Sequence, residues 1–290
     1  PPLVQNPGME VHIHPFQAYH VRNKNLATNY LQTSPEFHMK KLLSMKEEQL
    51  NNIFQICYCF RDEPISEIHR SQFLMLEWYR KNERYEKIMQ DCENLIKFLQ
   101  NSLSELPIKE KLPAAQAITV QEIMQEFCQI DILQFLETRS LKEVIKKNFK
   151  DVPIPKAELS WDDLFFLLFL NKVEPHLKKI PFLFLYEYPA PLSALSTIKK
   201  DNPFVCERFE MYIRGIEIGN CFNELTSYSE QKKRFDEQMK EKQMLYGYQL
   251  NEPSEFYDTL QRGYPASAGI AVGVERLFLS LVKTENPFYS

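Results

Sequence analysis

Glycine is scarce: the 290-residue chain has seven, against 18 prolines and 21 phenylalanines. Neither a Walker loop, nor the G-x-G-x-x-G of dinucleotide binding, nor a protein-kinase signature occurs, so any nucleotide site must be built another way. Long apolar runs are missing as well. The longest, Leu164–Leu170, falls far short of the ~20 residues a membrane helix needs, so no membrane partner is expected. There is no signal-peptide pattern, although the chain opens at Pro1 and not Met, and a natural N-terminal segment could precede it. Positive charge is not in excess: 35 Lys and Arg face 39 Asp and Glu for a net charge of −4, which gives no global basic field for nucleic acid. The six cysteines (57, 59, 92, 128, 206, 221) form no CxxC pair, which argues against a zinc framework and for reduced, buried thiols in a cytoplasmic protein. What remains is globular: 44% hydrophobic and 26% charged residues, long enough for one large domain, 1–290, or a domain with an inserted subdomain.

The rest of the chain is organised around 54–80. Its alternation predicts two strands, Phe54–Glu63 and Gln72–Arg80, joined by a polar connection. Strand parity puts Cys57, Cys59, Arg61 and Glu63 on one face, and Phe73, Met75, Glu77 and Tyr79 on one face of the partner. A hairpin with its charges in water is the plain alternative, yet Arg61 follows a run of strand formers where a packed strand prefers an uncharged group. A third strand, Ser267–Val274, presents Ser267, Gly269, Ala271 and Gly273 as a face almost without side chains, with Ile270, Val272 and Val274 toward the core. A fourth, Glu207–Ile218, sets Gly215, Glu217 and Gly219 on one face. Glycine weakens a strand, so its use here implies that something flat approaches the backbone. Around that floor Phe73 and Arg276 could sandwich a planar base, Arg61 could grip an α-phosphate, and Glu217 with Glu224 offers oxygen ligands for Mg²⁺.

The flanking stretches supply scaffold. Val11–His14 reads as a short strand stopped by Pro15, its His12 and His14 a half-exposed face and not a metal pair. Ser34 as N-cap, Pro35 at the first position and Glu36 in the first turn open a helix whose N-terminus could hold the ends of an amino acid. Helical spacing continues over Asn82–Leu103. Thr119-x-x-Glu122 and Ser140-x-x-Glu143 read as capping boxes for helices 119–128 and 140–148, and Ser160 opens another to about Val173. Region 105–180 is therefore expected as a helical insertion. A strand Phe182–Tyr188 follows, then helices Ser229–Tyr246 and Ser254–Arg262, each closed by glycine.

Phe60-Arg61-Asp62-Glu63 with Phe73-x-x-x-Glu77 resembles motif 2 of the class II aminoacyl-tRNA synthetases, and Ser267–Arg276 resembles their motif 3. Gly215–Leu225 is similar to the lysine-specific strand between them, and Pro1-Pro2 to the end of motif 1. Thr33–Lys40 and Met75–Arg80 extend the likeness to the lysyl-tRNA synthetase paralogues that modify elongation factor P. The resemblance implies an α+β fold, an antiparallel sheet flanked by helices, and a homodimer. It implies ATP and Mg²⁺, adenylation of lysine or (R)-β-lysine, and transfer to a lysine ε-amine on elongation factor P, without tRNA. By the same resemblance Ser34, Pro35, Glu36, Tyr79 and Glu224 contact the amino acid, with Ala271 where lysyl-tRNA synthetases carry glycine. Arg61, Asp62, Glu63, Arg70, Glu217, Ile218 and Gly273 line ATP, Phe73 and Arg276 hold adenine, Arg61 and Arg276 are catalytic, and Glu217 and Glu224 hold the metal. Arg70 and Gln72 depart from the family's His-Asn-Pro-Glu-Phe, and Arg70 is expected to reach the terminal phosphates instead. Two other readings stand beside this one: a tRNA-charging enzyme that has lost its anticodon domain, and a non-catalytic module that kept the fold.

Overall fold

A computed structural model describes residues 2–22, 28–45, 47–103 and 105–284. In chain order the elements are β1 (Leu3–Val4), β2 (Gln17–Ala18), β3 (Asn29–Leu31), α1 (Glu36–Leu43), β4 (Asn52–Phe60), β5 (Gln72–Lys81), α2 (Tyr85–Ser102), β6 (Gln116–Thr119), α3 (Val120–Cys128) and α4 (Thr138–Asn148). Then come α5 (Trp161–Lys172), α6 (Glu174–Leu177), β7 (Phe182–Tyr186), β8 (Arg208–Ile213), β9 (Ile216–Asn223), α7 (Tyr228–Tyr246), α8 (Ser254–Gln261), β10 (Ser267–Gly273) and α9 (Val274–Leu281). The class is α+β. Two units divide the chain: one is Pro1–Arg84, Glu224–Leu279 and Lys283–Ser290, the other Tyr85–Asn223 and Ser280–Val282.

In the first unit β4 and β10 each pair antiparallel with β5, and β1–β3–β2 form a small sheet of their own. The register aligns Cys57, Met75 and Gly273 across three strands, then Gln55, Glu77 and Ala271, then Ile53, Tyr79 and Gly269. Helix α1 packs on β4 and β5, and its Phe37 stacks on Phe256 of α8 at 4.4 Å. The opposite face of β4 is bare: Phe54, Ile56 and Tyr58 are 73%, 57% and 52% exposed, beside Trp78, Leu76 and Leu74 of β5.

Three expectations change here. Strand β4 ends at Phe60. The Arg61 amide still donates to Ser71 O at 2.9 Å, but that of Asp62 turns to His14 O at 2.7 Å, so Arg61 and Glu63 lie in the connection and not on the Cys57 face. Val11–His14 forms no strand, because its carbonyls curl around a buried lysine described below. Pro35, not Ser34, is the N-cap of α1; the Ser34 hydroxyl accepts from the Glu36 amide at 3.1 Å and is otherwise committed to β5.

In the second unit β8 pairs antiparallel with β7 and β9, while β6 runs parallel to β7. The expected single strand 207–218 is a hairpin broken at Arg214-Gly215, with φ of 49° and 80°, the conformation a two-residue turn demands. Gly215 thus serves the turn and not a flat face. Region 105–180 carries β6 as well as helices. The Thr119 and Ser160 capping boxes form as expected. Ser140 does not cap; it lies inside α4, donating to Glu137 O at 2.8 Å, and Glu143 takes Arg139 at 3.0 Å instead. Helix α5 is apolar on nearly every side, so it is buried: Leu164, Phe165 and Leu168 pack with Ile123, Leu141, Ile145 and with Leu183 and Leu185 of β7. Each such side chain contributes about 1.5–3 kcal/mol by burial.

Candidate active site

The first turn of α1 presents Glu36, and the helical repeat presents Lys40 directly behind it. Lys40 Nζ lies 2.6 Å from Glu36 Oε1 and 2.5 Å from Glu224 Oε2, and the Lys40 and Glu224 side chains are each 1% exposed. Glu224 is held there by its own backbone, whose amide donates to Ser267 O at 2.9 Å. Glu77, also buried, accepts from Ser34 Oγ at 3.0 Å and from the Tyr79 hydroxyl at 2.5 Å. The Tyr79 ring lies on Gly269, where a Cβ would come within 2.2 Å of it, so no other residue fits that row. Ser34, Glu36, Tyr79 and Glu224 are therefore brought together as expected, with Pro35 capping the helix and Ala271 opposite Glu77.

Lys40 and Glu77 join that set with no sequence-based role assigned to them as site residues. For Lys40 the signal was present, a Glu-Lys pair four residues apart on a helix. Two carboxylates, Glu36 and Glu224, pair with one ammonium, and Glu77 feels its charge without touching it. Burial, then the charge of Glu36, pushes the Glu77 carboxyl up to about 8. Burial pushes Glu224 up to about 8 as well, against the pull of Lys40. Burial alone would lower Lys40, but Glu224 and Glu36 overcome it and hold the ammonium above its ordinary range. Once ionised, the buried carboxylates of this cluster outnumber its one ammonium, and that suits a further ammonium group. A crevice lined by Asn6, Gly8, Glu10, Ser34, Glu36 and His38 opens on it.

The second group lies at the connection after β4. The Arg61 guanidinium stands 5.3 Å from the Phe73 ring centroid, and its Nε donates to Thr33 O at 3.4 Å. Among the described residues no carboxylate pairs with it. Next to Phe73, the Leu74 amide donates to both Glu275 oxygens, at 2.8 and 3.1 Å, which ties the start of α9 to β5. Arg276 donates from Nε to Ile68 O at 3.1 Å, and its Cδ lies 3.6 Å from where a Gly273 Cβ would be. Burial, then Arg276, lowers the pKa of His69, so this loop lies close to the arginine. Glu63 and Arg70 are part-buried in the same connection, and Asp62 is exposed.

The bare floor is shorter than expected. Tyr79 covers Gly269, and Ser267 is buried with its hydroxyl 2.8 Å from that of Tyr264, so the uncovered part is Ala271 and Gly273. Glu217 and Ile218 lie on β9 of the second unit, Ile218 buried. Among the described residues no group of three or more His, Cys, Asp and Glu is placed to hold a metal ion. Glu224, matched to Lys40, does not fit the metal role expected of it.

The description "tRNA synthetases class II (D, K and N)" matches residues 1–286. A protein named elongation factor P–(R)-β-lysine ligase from Erwinia tasmaniensis is 36% identical over 289 residues, covering 98% of this chain and 84% of that one. Proteins of the same name from Salmonella arizonae and Salmonella paratyphi B are 33% identical over 290 and 291 residues, covering 98% and 99% of this chain and 84% of each of theirs.

Proposed function

The chain belongs to the class II tRNA synthetases (D, K and N), and from that premise we propose that it is an ATP-dependent ligase which adenylates lysine or (R)-β-lysine and transfers it to a lysine ε-amine on elongation factor P, as the names of its relatives suggest. The observation that carries this reading is the buried pairing of Glu36 and Glu224 with a single Lys40, beside a Glu77 whose partners among the described residues are Ser34 and Tyr79, since a diamino acid brings a further positive charge to these carboxylates. Ser34, Glu36, Tyr79 and Glu224 orient that substrate so that its carboxylate faces Arg61. The carboxylate attacks the α-phosphate of ATP and pyrophosphate leaves; the guanidinium stabilises the charge that grows on the phosphate oxygens. Phe73 and Arg276 hold the adenine over Gly273, and Asp62, Glu63 and Arg70 complete the nucleotide's surroundings within the first unit. The acceptor amine then attacks the acyl carbonyl, AMP leaves, and an amide bond results. Mg²⁺, if bound, would neutralise phosphate charge; Glu224, taken by Lys40, is not placed to hold it. We assign the protein to the cytoplasm, a compartment that keeps thiols such as its buried Cys59, Cys92 and Cys128 reduced.

Incubated with ATP, (R)-β-lysine or lysine, and elongation factor P, the protein is expected to raise the acceptor's mass by one aminoacyl group. Label on tRNA with the acceptor unchanged would favour the charging reading instead.

We also read the apolar face of β4 and β5 as the seat of a second copy of this chain, since Phe54, Ile56 and Tyr58 form a continuous exposed row on one strand. Ile56→Glu combined with Tyr58→Glu should convert a dimer to a monomer in sedimentation velocity. A variant that sediments like the parent would remove this face from the interface.

A further inference from the structure

Lys242 of α7 is completely buried, and among the described residues no carboxylate pairs with it. Its ammonium donates to the carbonyls of Glu10 at 3.0 Å, Val11 at 2.8 Å and Ile13 at 2.7 Å, with the Tyr248 ring centroid 5.3 Å away. An ammonium has three protons to give, and here three main-chain oxygens take them. Without those partners the buried charge would cost several kcal/mol, so the lysine and the loop define each other's position.

That loop continues into the wall of the crevice. Residues 6–10 have no regular secondary structure, and their place is set by fasteners. Asn251 Nδ2 donates to Gln5 O at 3.2 Å, Asn6 Nδ2 returns a bond to Asn251 O, and the Thr33 hydroxyl donates to Pro7 O. Asn6, Gly8 and Glu10 then face Ser34 and Glu36 across the crevice. Burial, followed by the charge of Glu36, raises the Glu10 carboxyl, so the two acids feel each other across that gap.

We infer that Lys242 is a positioning residue for the amino-acid site: by gathering three carbonyls it fixes the 6–10 strap, and with it Glu10, opposite Ser34 and Glu36. The inference rests on the proposed function, in which Ser34 and Glu36 of this crevice's wall contact the amino acid. It assigns Lys242 no contact with the substrate and no part in the chemistry.

The test compares the parent with Lys242→Met, which keeps the length and apolar stem but has no donor, with Lys242→Arg, which restores charge and donors, and with Asn251→Ala at the exposed far fastener. Two readouts are taken: lysine-dependent pyrophosphate exchange with separate KM values for amino acid and ATP, and hydrogen exchange of the amides of 4–14. Lys242→Met is expected to raise the amino-acid KM about tenfold with the ATP KM within about twofold, and to lower protection over 4–14. Lys242→Arg should recover most of both, and Asn251→Ala should show a smaller change of the same kind. Equal rises in both KM values, or an unaltered amino-acid KM with unaltered protection, would overturn the inference. If Lys242→Met fails to fold, Asn251→Ala decides by the same two readouts. A parent that exchanges no pyrophosphate would defeat the functional proposal, while the hydrogen-exchange arm would still report on the strap.

Discussion

Arg61→Ala should slow amino-acid-dependent pyrophosphate exchange by about 10²–10³-fold, the loss expected when one preorganised donor to a developing anion is removed. The geometry predicts that this loss comes with little unfolding. The guanidinium is half-buried, leans on Phe73 at 5.3 Å and gives one long bond to Thr33 O; among the described residues no carboxylate depends on it. Truncation therefore strands no buried charge, and the denaturation midpoint should move by no more than about 1 kcal/mol of stability. Arg61→Lys keeps the charge but loses the planar fork, so it should recover only part of the rate. An Arg61→Ala protein that exchanges as fast as the parent would take the chemical role away from this residue. A parent that binds no ATP by calorimetry would do more, and would leave only the non-catalytic module.

What the sequence could convey follows the range of the interactions involved. The faces of β4 and β5 were legible because side-chain alternation is local, and Phe73, Met75, Glu77 and Tyr79 do share one face. So were the caps at Thr119 and Ser160, where donor and acceptor are three residues apart. Alternation does not register a two-residue turn, since parity resumes beyond it, and that is why Arg214-Gly215 was absorbed into one strand. It also suggested a strand at Val11–His14, where the conformation is dictated by an ammonium more than two hundred residues away in sequence. The small residues of β10 were rightly singled out, but one of them makes room for Tyr79 and not for a ligand. Glu224 looked like a metal ligand because nothing local links it to Lys40; only the packed fold brings that pair to 2.5 Å.

Lys40→Met is expected to have the largest effect on stability, about 3–5 kcal/mol in equilibrium urea unfolding at about pH 9, where Glu224 is ionised, the range for removing one partner of a buried ion pair. Both side chains of the Lys40–Glu224 pair are 1% exposed, so solvent does little to soften the loss. The loss should shrink as pH falls, because protonated glutamates need no cation, and Lys40→Met with Glu224→Gln should be more stable than Lys40→Met alone. The parent has its own pH dependence. Glu77 and Glu224 are held near 8, above the 4.5 of an ordinary carboxyl, so the folded state binds protons more tightly than the unfolded one. Their contribution to stability is whole below about 4.5 and is lost as pH climbs through about 8. Binding of an ammonium runs the other way, since it prefers the ionised carboxylates. Added lysine should therefore raise the parent's Tm more at pH 8.5 than at pH 6.5, and should do nothing for Lys40→Met with Glu224→Gln, which has lost one of the carboxylates that receive the amine. A lysine-induced shift that is the same at both pH values would mean that the buried acids do not receive the substrate's charge.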